Sequence, residues 1–160
     1  MTVSQPIVRA AQVSDLSILS EYWYDRMALI AHKQPSAQLP LNVRLAWEQN
    51  AAGWLYESAV RSVVSVYADE VVGGLFVRRG AAGDDTEAPY SATVLALVVD
   101  LHTIHQRQGV GRVLWQAMRA QLHQDSITKV YAAQTNDMLE NSFWPSLGAT
   151  LTGQWFELDI

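Results

Sequence analysis

The stretch ATVLALVVDLHTIHQRQGVGRVLWQAMRAQLHQ, residues 92–124, decides the fold. Its first part, Ala92 to Leu101, is apolar at nearly every position. Such a run marks a strand buried on both faces at the centre of a sheet. Its last part, Gly109 to Gln124, sets Val110, Val113, Leu114, Ala117, Met118 and Leu122 on one helical face. Ile127 to Ala133 then reads as a second strand. Strand, helix, strand in this order forms a parallel, right-handed unit with its helix packed on one face of the sheet.

Working outward, Pro6-Ile7-Val8-Arg9 reads as a first strand, and Ser14 as the N-cap of a helix carrying Leu16, Leu19, Trp23, Met27 and Ile30 to about His32. Pro35 and Pro40 mark a loop. Asn42 is the expected cap of a second helix with Val43, Ala46, Trp47, Trp54 and Leu55. Val63 to Tyr67 and Val71 to Val77 are β-branched runs around Ala68-Asp69-Glu70, which predicts a hairpin. Gly80 to Pro89 is a loop rich in Gly and Asp. After the central unit comes a helix from about Asn136 to Leu147, ended by Gly148, and a closing strand over Gln154 to Leu158. The predicted order is β-α-α-β-β-β-α-β-α-β. It describes a mixed α/β (α+β) sheet flanked by helices, in a single domain over residues 1–160.

The chemistry concentrates in Gln106-Arg107-Gln108-Gly109-Val110-Gly111-Arg112, between the central strand and its helix. Two glycines let the backbone turn tightly and approach a ligand. The helix that starts there directs unpaired N–H groups and its positive dipole end at the same spot. Arg107 and Arg112 add full charges, so the segment has the make-up of a pyrophosphate cradle. No Gly-Lys pair exists for a Walker loop, and Leu114 stands where a dinucleotide fingerprint needs its third glycine.

Composition narrows the field. Sixteen acids against eleven bases give a net charge of −5, which disfavours a nucleic-acid binder with a broad basic face. Leu101 to Gln124 nevertheless contains no Asp or Glu. One acid-free basic segment in an acidic chain points to a local anion site. There is no cysteine, hence no disulfide or thiolate chemistry. The longest apolar run, Val94 to Val99, is far short of a membrane span, and the N-terminal residues carry no secretory pattern. The expectation is a cytoplasmic protein with no membrane or nucleic-acid partner.

The loop at Gln106, Gly109 and Gly111, the order of elements, and Phe143-Trp144-Pro145-Ser146-Leu147-Gly148-Ala149 near the end together resemble the GNAT superfamily of acyl-CoA N-acyltransferases, over about residues 6–160. The resemblance implies an N-acetyltransferase with acetyl-CoA as co-substrate and no metal. The backbone around Val99, Asp100 and Leu101 would pair with the pantetheine arm, where the parallel strands of the family splay. Residues Gln106, Arg107, Gln108, Gly109, Val110, Gly111 and Arg112 would hold the pyrophosphate. Asn136 to Trp144 would lie beside the thioester, with either Asn136 or Asp137 at the start of that helix. An amine of a small molecule or peptide would attack directly, with a strand N–H stabilising the oxyanion. A homodimer is a family-level expectation.

Two departures from the family pattern bear on catalysis. Trp144 stands where relatives carry a tyrosine acid, and an indole N–H donates a hydrogen bond but no usable proton. Ser142, Tyr131 or water would have to replace it, or the thiolate leaves unprotonated. Thr93 to Val99 holds no glutamate base, so Asp100 is the carboxylate of that strand and the catalytic candidate. The alternative reading is a non-catalytic acyl-CoA-binding module of the same fold. His102 and His105 are read as loop surface rather than metal ligands. Glu21, Tyr22, Tyr24 and Asp25 are candidates to face the acceptor. Asp84, Asp85 and Glu87 form an acidic loop that would steer a cationic amine. Trp115 is read as an exposed or dimer-contact residue.

Overall fold

The computed structural model describes residues 5–32, 39–40, 42–80, 90–103 and 109–160. In chain order the elements are β1 (Ile7–Ala10), α1 (Leu16–His32), α2 (Val43–Tyr56), β2 (Val60–Tyr67), β3 (Glu70–Arg79), β4 (Ser91–Val99), α3 (Val110–Gln124), β5 (Lys129–Ala133), α4 (Met138–Ser146), β6 (Thr150–Thr152) and β7 (Trp155–Asp159). The predicted order holds, with one strand added. β6 is three exposed residues and carries no alternation for a sequence reading to find.

Ser14 does not cap α1. A 3-10 turn over Val13–Asp15 precedes the helix, and the Asp15 carboxylate accepts the Gln12 N–H at 2.8 Å. Arg9 donates two hydrogen bonds to the same carboxylate, at 2.7 and 2.8 Å, so a charged pair outcompetes a serine hydroxyl at this helix start. Asn42 sits at the cap position of α2, but its side chain makes no capping bond.

Among the described residues the strands form one sheet in the order β1-β2-β3-β4-β5-β7-β6. The β2–β3 hairpin turns through Ala68 and Asp69, both at positive φ (48° and 66°). β4 and β5 are parallel and pair only over Ser91–Lys129, Ala92–Val130 and Thr93–Tyr131. Beyond Thr93 the two strands part, while β4 stays paired with β3 as far as Val99. Within β4, Leu95 is an extra residue between the Phe76–Ala96 and Val77–Val94 pairs. This bulge lets consecutive Leu95 and Ala96 both join the core on the α1/α2 face, which plain alternation forbids.

Each sheet face has its own core. Leu16, Leu19, Trp47, Ala51, Val64, Phe76 and Val98 are buried under α1 and α2. On the other face, Leu75, Val110, Leu114, Met118, Leu122 and Trp144 pack under α3 and α4. Trp115 belongs to this second core, contrary to the sequence expectation. It is only 5% exposed and meets Trp144 edge to face, with ring centroids 5.8 Å apart. The side of α3 that looks polar by spacing is covered by α4, a neighbour that helical periodicity does not reveal. Among the described residues no helix is long and apolar enough to cross a membrane.

Candidate active site

The gap between β4 and β5 organises the site. Asp100 N–H donates to the Val72 carbonyl at 2.9 Å, which makes Asp100 and Val72 a hydrogen-bonded pair of the antiparallel ladder. Alternate residues therefore turn their N–H and C=O the other way. Leu97 and Val99 thus present backbone donors and acceptors to the gap. Both residues line a cavity of about 520 Å³ on the α3/α4 face, together with Gly109, Val110, Gly111 and Phe143.

The head of α3 forms the far end of that cavity. Gly109 holds the turn at φ 103°, a conformation that L side chains rarely adopt. The first bond of the helix runs from Val113 N–H to the Gly109 carbonyl at 2.9 Å. The N–H groups of Val110, Gly111 and Arg112 therefore have no acceptor within the helix. No acid stands in the first turn, and Arg112 is exposed beside it. Gly111 has a second role. A Cβ there would lie 2.9 Å from the Phe143 ring, so the absent side chain lets α3 and α4 close together at the cavity wall. Three N–H groups with no acceptor within the helix, an arginine and no acid on α3 suit a phosphate-bearing ligand.

Across the gap lies a group of residues of which sequence reasoning singled out only Asp137. Thr135 and Asn141 exchange two hydrogen bonds (3.0 and 2.6 Å) and fix the turn into α4. Asp137 caps the helix by accepting the Leu139 N–H at 3.0 Å and the Glu140 N–H at 3.4 Å. Arg26 reaches from α1, on the opposite face, and grips the Asp137 carboxylate with Nε and Nη2, the latter at 2.9 Å. Both side chains are largely buried, at 14% and 8% exposure. Burial alone would raise the Asp137 carboxyl. The Arg26 hydrogen bond and charge, with the Glu140 and Leu139 N–H groups, outweigh it and hold the group below the ordinary carboxylate value.

Glu140 stands in the first turn of α4. Burial, and next the charge of Asp137, push its carboxyl up to about 7 against a partial pull from Arg26 and the Trp144 N–H. The Trp144 indole is 1% exposed, and its N–H, near Glu140, closes no full hydrogen bond. Arg26, Leu97, Asp137 and Glu140 line the first cavity and also a second one of about 440 Å³ on the α1/α2 face. The two cavities thus meet where the sheet is split. A carboxyl that titrates near neutrality at such a junction can move a proton between groups arriving from either face.

The residues expected from sequence fall as follows. Val99, Gly109, Val110, Gly111 and Arg112 line the first cavity together. Gln106, Arg107, Gln108, His105 and the acidic loop with Asp84, Asp85 and Glu87 lie outside the described residues. Leu101 begins a 3-10 turn beyond β4. Asn136 lines the second cavity rather than the first, and Asp137 holds the capping position of α4. Trp144 is packed against Phe143, and Trp144, Ser142 and Tyr131 line neither cavity. Asp100 is also absent from both linings, and its carboxylate accepts the His102 N–H at 3.0 Å. Tyr22 donates to the Val71 carbonyl at 2.7 Å and ties α1 to the sheet. Glu21, Tyr24 and Asp25 line neither cavity, whereas their neighbours Trp23 and Arg26 line the second. Two signals marked the missed pair: an arginine inside the apolar stripe Trp23, Met27, Ile30, and a glutamate one helical turn before Trp144.

The split parallel pair, the glycine turn at the head of α3 and the order of strands are those of the GNAT fold. No protein-family model matches the sequence, and no curated protein is detectably similar to it. Solved structures do match along nearly their whole length. The PaiA N-acetyltransferase of Thermoplasma acidophilum, solved in complex with coenzyme A, superposes with a TM-score of 0.74 at 12% identity, covering 98% of this chain and 99% of that one. An acetyltransferase from Thermus thermophilus gives 0.72 at 19% identity, with both chains covered completely. A GCN5-related N-acetyltransferase from Kribbella flavida gives 0.72 at 18% identity, over 97% of this chain and 98% of that one. At such identities the likeness shows the fold alone.

Proposed function

We propose that the protein transfers an acetyl group from acetyl-CoA to a primary amine by direct attack, with no covalent enzyme intermediate, and that Glu140 carries the proton. One observation supports this above all. Cavities on opposite faces of the sheet meet at the β4–β5 gap, and Arg26, Leu97, Asp137 and Glu140 line both. A donor on one side and an acceptor on the other can then react without either crossing the protein.

The co-substrate supplies an activated thioester carbonyl; a C–N bond forms there as the C–S bond breaks. The head of α3 binds the pyrophosphate through the N–H groups of Val110, Gly111 and Arg112. The backbone of Leu97 and Val99 pairs with the pantetheine amides as a neighbouring strand would, and an N–H in this row steadies the oxyanion. A bound ammonium first gives one proton to solvent; the neutral amine attacks, its remaining N–H proton becomes acidic once nitrogen bonds to carbon, and Glu140 accepts that one. Protonated Glu140 then faces the donor cavity and returns the proton to the departing sulfur, a role that Trp144 cannot fill. Arg26 fixes Asp137 as a permanent anion, and that charge helps keep Glu140 near neutrality.

Calorimetric titration with acetyl-CoA, free CoA and ATP tests the donor half. Selective binding of both CoA species, with a higher melting temperature through ligand linkage, is expected. If neither CoA species binds, the glycine loop is only a strand-to-helix turn and the reading fails.

A further inference from the structure

We infer that the acceptor is a primary monoamine carried on a flat aromatic body, an aralkylamine; this rests on the acetyl-transfer reading and narrows its acceptor. The second cavity has two unlike ends. One is the Arg26–Asp137–Glu140 group at the gap. The other is a wall of three indoles, Trp23, Trp47 and Trp54, extended by Met27 and Ile30. Trp23 and Trp47 stack with centroids 5.9 Å apart and planes 18° from parallel. Trp54 stands edge-on to Trp47 at 6.1 Å, and Phe76 backs both at 6.2 and 5.4 Å. The rings hold one another in place, so the wall is formed before any ligand arrives.

Trp47 is nearly sealed, while Trp23 and Trp54 remain half-buried and border the cavity. A preformed concave site with aromatic walls and a few convergent polar groups is the usual make-up of a small-molecule site. Aromatic rings gain most from such a wall, through edge-to-face and offset contacts.

Charge counting selects the number of amines. Among the described residues lining this cavity, the ionisable groups are Arg26, Asp137 and Glu140. Arg26 neutralises Asp137 by its two-bonded grip. One carboxyl is left, Glu140, so one amine is matched. The further ammonium groups of a polyamine or aminoglycoside would lie against indole faces with no carboxylate among these residues. Cation–π attraction offsets only part of the cost of stripping water from each.

The test is a steady-state assay of CoA thiol release, with calorimetry of amine binding to the CoA-saturated protein. The probes are tryptamine, phenethylamine, spermidine, kanamycin and a short peptide with a free N-terminal glycine. Tryptamine and phenethylamine are expected to exceed the others in kcat/KM by about tenfold or more. Trp23→Leu should raise the KM for tryptamine about five- to tenfold, leave the KM for acetyl-CoA unchanged, and be rescued by Trp23→Phe. A preference for spermidine, kanamycin or the peptide overturns the inference. So does failure of both aralkylamines to bind. Tryptamine that binds, weakens in Trp23→Leu and is never acetylated leaves the aromatic site standing and removes the transfer reading instead.

Discussion

Replacing Glu140 by Gln is expected to stabilise the protein while disabling it, and only above a defined pH. Burial first, and the Asp137 charge second, raise the Glu140 carboxyl from 4.5 to about 7. The unfolded chain therefore releases this proton at lower pH than the folded protein does. As pH climbs from 4.5 to about 7 the unfolded state gains stability that the folded state lacks, and above about 7 the deficit is constant. At about 1.36 kcal/mol per pH unit the full deficit is about 3 kcal/mol. An amide never ionises and escapes it. For a domain of this size about 1 kcal/mol moves the melting temperature by about 2–4 °C. Melting curves of wild type and Glu140→Gln, taken from about pH 4 to about pH 9, should coincide at the acid end. They should separate through neutrality and run several degrees apart beyond it. A gap that does not change with pH, or a variant that melts lower in alkali, would refute the account of this carboxyl. In the same variant kcat should fall about 10²- to 10⁴-fold, and the wild-type kcat should rise with pH through about 7. Undiminished turnover would remove Glu140 as the proton carrier and return Asp100 or water to that place.

Other predictions follow from the same contacts. Arg26→Met leaves Asp137 buried without its cation and should cost about 3 kcal/mol or more near neutral pH, read by denaturant unfolding; it should also shift the kcat profile to higher pH, because Arg26 lowers the Glu140 carboxyl, and an unmoved profile would break the coupling. Gly111→Ala drives a methyl into the Phe143 ring and should weaken acetyl-CoA binding, with Phe143→Leu restoring it. Gly109→Ala meets nothing and should lose about 1–2 kcal/mol from its positive φ alone, so equal rescue of both by Phe143→Leu would contradict the assignment. Ala68→Asn with Asp69→Gly supplies the residues that a two-residue turn at positive φ prefers. It should raise stability by about 1 kcal/mol without touching catalysis; a lower melting temperature would speak against the turn geometry.

Glu140 illustrates what the sequence could not convey. A glutamate in an amphipathic helix reads as solvated surface, because periodicity reports which residues face a core and says nothing of a second cavity arriving from the other face. Trp115 misled for the same reason: its spacing on α3 places it off the apolar stripe, and only the docking of α4 buries it. Asp100 looked attractive because it was the carboxylate of the central strand. Its backbone N–H, however, points to β3, and its side chain serves the turn that follows.

By itself the sequence determined the order of elements apart from β6, the central strand and the glycine turn at the head of α3. These are local properties: hydrophobic period and backbone freedom act between residues a few positions apart. It did so through the run from Ala92 to Val99 and through Gly109 and Gly111, whose residue types leave few alternatives. The tertiary structure alone decided where the two strands part, which backbone groups face the gap, and that Arg26 meets Asp137 and Glu140 there. Arg26 lies more than a hundred positions from the other two in the chain. Their pairing depends on two helices approaching one opening from opposite faces of the sheet, and the raised carboxyl depends on the burial and charge that this approach creates.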